Sequence, residues 1–299
     1  MYVINNGNKY PFSKGILAKS LYQTGVPLEE AYDIVKEILG EFPGEEDRLS
    51  STQLKELVSE KLQERGWQEE DRYYRLRDAL KELSSPVFIL IGGGSGVGKT
   101  TLATEVGRRL GIDRIVGTDT VREIMRGVLS PDLVPTLHQS TYNAMDSLKT
   151  PYITDELIYA FSQQVSLVNK GLGSVIKRGM TEGLDLIVDG VHIVPGYLNS
   201  VLAKSPKYLF QYIIDVPDSD THRRHFYSRE KDSLRDPERY LDHFDRIRRI
   251  HEFILEVAEK KNVRILENSD LSVAIDTIIS DVVDRIEGKR KKISQDLQG

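Results

Sequence analysis

Gly93-Gly94-Ser95-Gly96-Val97-Gly98-Lys99-Thr100 is the stretch that decides the fold. It fills the pattern G-x-x-x-x-G-K-[ST] in full. It follows the apolar run Val87-Phe88-Ile89-Leu90-Ile91 and opens a helical pattern over 99–110, the context that a phosphate-binding loop requires. Glycines let the backbone curl so that successive amide N–H groups converge on one anion. The helix start adds partial positive charge. Lys99 is placed to reach the β- and γ-phosphates of a nucleotide as a point charge, and the Thr100 hydroxyl to ligate Mg²⁺. The expected nucleotide-binding set is Gly93, Gly94, Ser95, Gly96, Val97, Gly98, Lys99, Thr100 and Thr101, with ATP and Mg²⁺ or another divalent cation as the ligands.

Downstream of the loop, strand-like runs at 114–117, 185–188, 208–214 and 263–266 alternate with helical patterns at 99–110, 120–128, 155–182 and 238–261. This alternation predicts an α/β fold, a P-loop kinase-type parallel sheet with helices on both faces. Upstream, the pattern changes. Pro86 disfavours helix at Ser85, so a domain boundary is expected near Ser84. Residues 1–84 read as a small, mostly helical domain and residues 85–299 as the catalytic one. Ser13 caps a helix that stops at Gly25. Pro27 starts a second, whose buried stripe is Leu28, Ala31, Val35, Ile38 and Phe42. Leu54, Leu57, Val58 and Leu62 mark a third.

The 299 residues carry 41 Lys and Arg against 46 Asp and Glu, a net charge of −5. That balance argues against a broad nucleic-acid surface. There is no Cys, which excludes disulfides, thiolate catalysis and Cys-ligated zinc. No apolar run approaches the ~20 residues of a membrane span, and Met1-Tyr2-Val3-Ile4-Asn5-Asn6 lacks the basic-then-apolar order of a signal peptide. A soluble cytoplasmic protein without a membrane partner is expected, with homo-oligomerisation left open.

Several side chains are candidates for chemistry. Asp189 ends the strand 185–188, where an NTPase holds its metal, so Thr100 and Asp189 form the candidate metal pair. Asp119 lies just past the second strand; it can cap the next helix and, without excluding that, accept the proton of an attacking hydroxyl or hold a metal-bound water. Arg122 and Arg126 stand four apart on that helix and suit an anionic acceptor. Arg223, Arg224 and Arg229 follow the strand 208–214, where many mononucleotide kinases place a lid over the triphosphate; a salt-bridged surface helix is the rival. His222 and His225 have i, i+3 spacing but no evident third ligand, so zinc is not expected. His138, Tyr142 and Lys149, in the polar stretch after the second strand, are candidates to line the acceptor site.

Gly92 to Thr101, Gly117-Thr-Asp-Thr-Val-Arg-Glu-Ile-Met-Arg126, His138-Gln-Ser-Thr-Tyr142 and Val188-Asp-Gly-Val-His192 together resemble the archaeal 2-phosphoglycerate kinase family. The amino-terminal segment, with Tyr10-Pro-Phe-Ser13, is similar to an ATP-cone. The resemblance implies transfer of phosphate from ATP to 2-phosphoglycerate, a phosphorylated hydroxyacid. The product would be 2,3-bisphosphoglycerate, feeding synthesis of its cyclic form. With that substrate, the residues' own chemistry gives Lys99, Asp119, Arg223, Arg224 and Arg229 as the candidates for transfer, and Asp119, Arg122, Arg126, His138, Tyr142 and Lys149 as those for acceptor binding. Residue chemistry alone leaves open a kinase for another small anionic metabolite, or an ATP-sensing regulator.

Overall fold

The computed structural model describes residues 1–5, 7–42, 44, 47–81, 83–148, 155–198, 207–228 and 237–296, with side chains for all of these except 81 and 287–296. The chain divides into two units, Met1–Ser84 with Arg108–Gly111, and Ser85–Gly107 with Ile112–Gly299.

The first unit runs β1 (Tyr2–Asn5), β2 (Asn8–Pro11), α1 (Lys14–Thr24), α2 (Leu28–Gly40), β3 (Arg48–Ser50), α3 (Ser51–Glu64) and α4 (Gln68–Lys81). Ser13 caps α1 by accepting from the Ile16 N–H, and Gly25 ends it at φ 120°. Ser50 and Gln53 form a reciprocal capping box on α3. The three-stranded sheet β2-β1-β3 is absent from the helical reading of this segment. Asn6-Gly7 between two short polar–apolar runs is a hairpin signal, and Gly7 takes the φ of 78° that a tight turn needs. Helix α4 is also new: its charge density hides a buried stripe of Tyr73, Leu76 and Leu80. Leu28 was expected inside but is 50% exposed, because it occupies the first position of α2, before the helix turns its apolar face inward. The core is Leu17, Leu21, Ile34, Ile38, Val58 and Leu62, and Trp67 packs against it.

The second unit continues with β4 (Val87–Gly92), α5 (Lys99–Leu110), β5 (Ile115–Gly117), α6 (Thr118–Val128), 3₁₀ turns at Pro135–His138 and Thr141–Ser147, α7 (Glu156–Glu182), β6 (Leu186–Asp189), β7 (Tyr208–Asp215), α8 (Ser219–Ser228), α9 (Glu238–Leu241), α10 (Phe244–Lys260), β8 (Arg264–Glu267) and α11 (Leu271–Asp296). All pairings are parallel, in the order β5-β6-β4-β7-β8. The expected parallel sheet is present, and the helical pattern at 238–261 is split into α9 and α10. β4 is central and buried along its whole length. Its Phe88 and Leu90 meet Leu172 and Ile176 of α7 on one face. On the other face the neighbouring strand's Tyr212 donates to Asp281 of α11 at 2.6 Å, and Arg285 of α11 stacks over Phe210. Both faces are therefore covered, which is why the strands read as continuous apolar runs rather than alternating ones.

The register aligns the strands' carboxyl ends. Ile91 pairs with Asp189, Gly117 with Asp189, and Gly92 with Ile213. The phosphate loop thus emerges at the edge where strand order reverses, the position at which open α/β sheets bind ligands. Ile89 is fully buried at the centre of β4. Ile89→Ala should destabilise the protein by about 2–5 kcal/mol through lost burial plus a residual cavity. Chemical denaturation checks this; a loss below ~1 kcal/mol would mean that the sheet collapses around the gap.

Candidate active site at the phosphate loop

The loop curls through Gly93, Gly96 and Gly98, all at positive φ. At Gly96, φ 91°, a β-carbon would stand 2.5 Å from the Phe226 ring and 2.9 Å from His222 Nε2, so the position excludes any side chain by both conformation and space. Lys99 is 5% exposed and its ammonium donates to the Gly94 carbonyl. The Thr100 hydroxyl donates to Asp189 Oδ2 at 2.7 Å, joining the start of α5 to the end of β6.

Side chains distant in sequence hold the loop's peptide groups. His222 Nε2–H, on α8, donates to the Ser95 carbonyl at 2.7 Å, and His225 Nδ1–H donates to the Gly96 carbonyl at 3.0 Å. Asn268 Nδ2, just past β8, donates to the Val97 carbonyl at 3.0 Å. The Gly94 N–H donates to His251 Nδ1 of α10 at 3.1 Å, and His251 Nε2–H donates to Asp215 at 2.8 Å, at the end of β7. The sequence reading missed His251, Asp215 and Asn268 as parts of the site. The i, i+3 spacing of His222 and His225 was the available signal. It reports two rings on one helix face, but aimed at backbone carbonyls.

A cavity of about 650 Å³ opens here. Ser95, Lys99, Thr100, Thr101, Asp119 and Asp189 line it, together with Phe226 and Tyr240, which stack at 5.2 Å between ring centroids. Asp119 is in the first turn of α6 and does not cap it; the cap position is Gly117. The Arg122 guanidinium lies 3.6 Å from Asp119, 3.4 Å from Glu123, and donates to the Gln139 carbonyl at 2.7 Å. Arg126 pairs with Glu123 at 2.7 Å. Neither guanidinium's Nε has a hydrogen-bond partner. Tyr142 reaches the cavity wall indirectly, edge-on to Tyr240 at 5.9 Å. His138 Nε2 bonds the Leu129 carbonyl at 2.8 Å, which ties its ring to the loop after α6. Arg223 stacks 3.8 Å over Phe244, and Arg224 bonds Thr221 at 2.6 Å. These two sit on a formed helix, α8, anchored by buried His222 and Phe226. Lys149 and Arg229 lie outside the described residues.

The donor set near Thr100 and Asp189 is a hydroxyl and a carboxylate, both oxygen, which suits a hard cation such as Mg²⁺. Among the described residues, no group of three or more His, Cys, Asp or Glu could hold a metal by itself.

The curated relatives include the 2-phosphoglycerate kinase of Thermococcus kodakarensis, 37% identical over 280 residues that cover 93% of this chain and 95% of that protein. The chain belongs to the 2-phosphoglycerate kinase family. The family's member from Methanopyrus kandleri is 37% identical over 288 residues, covering 95% of this chain and 88% of that one. The member from Methanothermobacter thermautotrophicus is 37% identical over 281 residues, covering 92% and 91%. No protein-family model matches the chain. Similar solved structures include the shikimate kinase of Acinetobacter baumannii in complex with shikimate, 14% identical, covering 69% of this chain and 98% of that one at a TM-score of 0.41.

Two of the buried imidazoles are held neutral. Burial pushes His192 down to about 4, against a smaller upward pull from Asp119. Burial likewise pushes His222 down to about 4, opposed by its bond to Ser95. In the unfolded chain both would titrate near 6.5. The folded values are depressed, so the unfolded chain binds these protons first. The stabilisation is full above about pH 6.5 and is lost as pH falls towards 4. Denaturant unfolding between pH 7 and 4.5 should show this decline, and His222→Asn should flatten part of it. An equally steep decline in that variant would remove His222 from the account.

Proposed function

We propose that this protein transfers the γ-phosphoryl group of ATP to the free hydroxyl of 2-phosphoglycerate, giving 2,3-bisphosphoglycerate and ADP. The observation that carries the reading is family membership across 92–95% of the chain, joined to a complete phosphate loop on a parallel sheet. The hydroxyl oxygen attacks the γ-phosphorus, the bond to the β,γ-bridging oxygen breaks, and Asp119 accepts the hydroxyl proton. Lys99 and the loop amides stabilise charge on the transferred group, since such transfer depends mostly on positioning and electrostatics. Thr100 and Asp189 would hold Mg²⁺, and the ion would supply positive charge against that of the phosphates. The acceptor carries a phosphate and a carboxylate, and Arg122 and Arg126 are the paired guanidiniums available to them on α6.

In the same reading, residues 1–84 form an ATP-cone-like regulatory domain and 85–299 the kinase domain. A cavity of about 790 Å³ within the first unit is lined by Ser13, Thr52, Lys55, Arg77 and Asp78 among others, with Lys55 paired to Asp78 at 3.2 Å, and is the place for a nucleotide regulator in this reading. Arg223, Arg224 and Arg229 act as lid residues over the triphosphate, and His138, Tyr142 and Lys149 shape the acceptor side. The reaction belongs to the cytoplasm, on a small-molecule substrate with no nucleic-acid or membrane partner and with homo-oligomerisation left open, and its product supplies synthesis of the cyclic bisphosphate. Among the described residues, no helix is long and apolar enough to cross a membrane.

ATP consumption against a panel of phosphorylated and plain hydroxyacids tests the proposal. Turnover should require 2-phosphoglycerate, and Lys99→Ala should lower it by orders of magnitude while leaving the protein folded. Slow hydrolysis indifferent to every acid would point to a sensor instead. For the acceptor side, Asp119→Asn should depress kcat, and Arg122→Ala should mainly raise the KM for the acceptor, because it removes binding common to ground and transition states. Were both variants to change only ATP affinity, Asp119 and Arg122 would belong to the nucleotide side.

A further inference from the structure

His192 closes the segment Val188-Asp-Gly-Val-His192, three residues beyond Asp189, and the reaction as derived gives it no task. It is fully buried, as are Gln164 of α7 and Thr118 at the start of α6. The bonds among them have only one consistent set of directions. Gln164 Nε2 donates to two carbonyls, Thr136 at 2.6 Å and Gln139 at 3.1 Å. Its Oε1 therefore faces His192 Nε2, at 3.1 Å, and must accept a proton from it. With the ring neutral and Nε2 protonated, Nδ1 is bare and accepts from the Thr118 hydroxyl at 2.9 Å. The Gln139 carbonyl also accepts from Arg122 at 2.7 Å.

The chain of bonds is a ring. It leaves α6 at Thr118, crosses the turn after β6 at His192 and α7 at Gln164, enters the 135–139 turn, and returns to α6 at Arg122, one helical turn from where it began. Enclosed between those two points is Asp119. The same turn leads into Tyr142, which packs on Tyr240 in the cavity wall. His222, His225, His251 and Asn268, by contrast, all bond the phosphate loop itself.

We propose that His192 is a positioning residue for the acceptor: through Gln164 it locks the first turn of α6 to the 135–147 segment, and so sets affinity for 2-phosphoglycerate without setting affinity for ATP. The inference rests on the reaction assigned above. The ring is buried at Thr118, His192, Gln164 and Thr136 and exposed where Arg122 meets Gln139; at its buried members a single lost partner leaves a carbonyl or ring nitrogen unpaired.

The test is steady-state kinetics on wild type, His192→Asn, Gln164→Met and the double variant, with circular dichroism and thermal melts to verify folding. His192→Asn keeps an acceptor for Thr118 and drops the Gln164 bond; Gln164→Met conserves volume and drops both carbonyl bonds. Each single variant should raise the KM for 2-phosphoglycerate about tenfold, with the KM for ATP within about twofold of wild type. Because both break the same ring, the double variant should be little worse than the poorer single one. Unchanged acceptor KM in the folded variants overturns the proposal. So does an equal rise in both KM values, or strict additivity, either of which describes general loosening. If His192→Asn fails to fold, Gln164→Met alone decides between these outcomes. A wild-type protein that ignores 2-phosphoglycerate sinks the functional reading instead, and this inference with it.

Discussion

The phosphate loop works because its carbonyls are held from behind. A glycine-rich turn is free to present either edge of each peptide, and only N–H groups attract an anion. Here the carbonyls of Ser95, Gly96 and Val97 each accept a side-chain hydrogen bond, from His222, His225 and Asn268. Tying those oxygens outward commits the loop's curvature before any nucleotide arrives, so the cost of ordering it is met in folding rather than in binding. The three supports come from α8 and from the turn after β8, elements that follow the loop by more than a hundred residues. The central strand, its neighbours and the helices beyond them are what bring these donors to one place.

A division of labour follows along the sheet edge. On the β7 and β8 side, Asp215, His251 and Asn268 serve the loop. On the β6 side, Asp189 meets Thr100 while His192 turns to α6 and α7. Three residues apart, on either side of the bend at Gly190, a charged group meets Thr100 and a neutral one turns to Thr118 and Gln164. Neutrality matters for the second: an imidazolium held between the buried, uncharged Thr118 and Gln164 would be costly to solvate, and the nearby Arg122 adds to that cost.

Much of this architecture was legible in the residues. The loop, the strand before it and the helix after it are local signals, and the apolar runs of β4, β6 and β7 are dense enough to read without context. Thr100, Asp119 and Asp189 lie together because motif position on a parallel sheet implies place. What could not be read was which distant side chain meets which peptide. His251 sits in a strongly amphipathic helix, where an inward histidine looks like any core position. Its role depends on Asp215, thirty-six residues earlier and on a different element. The small sheet of the first unit escaped for another reason: its strands are short and largely exposed, so they lack the apolar alternation that marks a half-buried strand.

Trp67 is the chain's single tryptophan, and it packs against the core of the first unit. Indole emission from this protein is accordingly a reporter on that unit alone, while the phosphate-binding sheet is seen only through its tyrosines. A melt followed at tryptophan wavelengths observes the first unit, and one followed by far-ultraviolet dichroism observes the backbone of both. Their coincidence or separation is a direct reading of whether the two units unfold as one cooperative system.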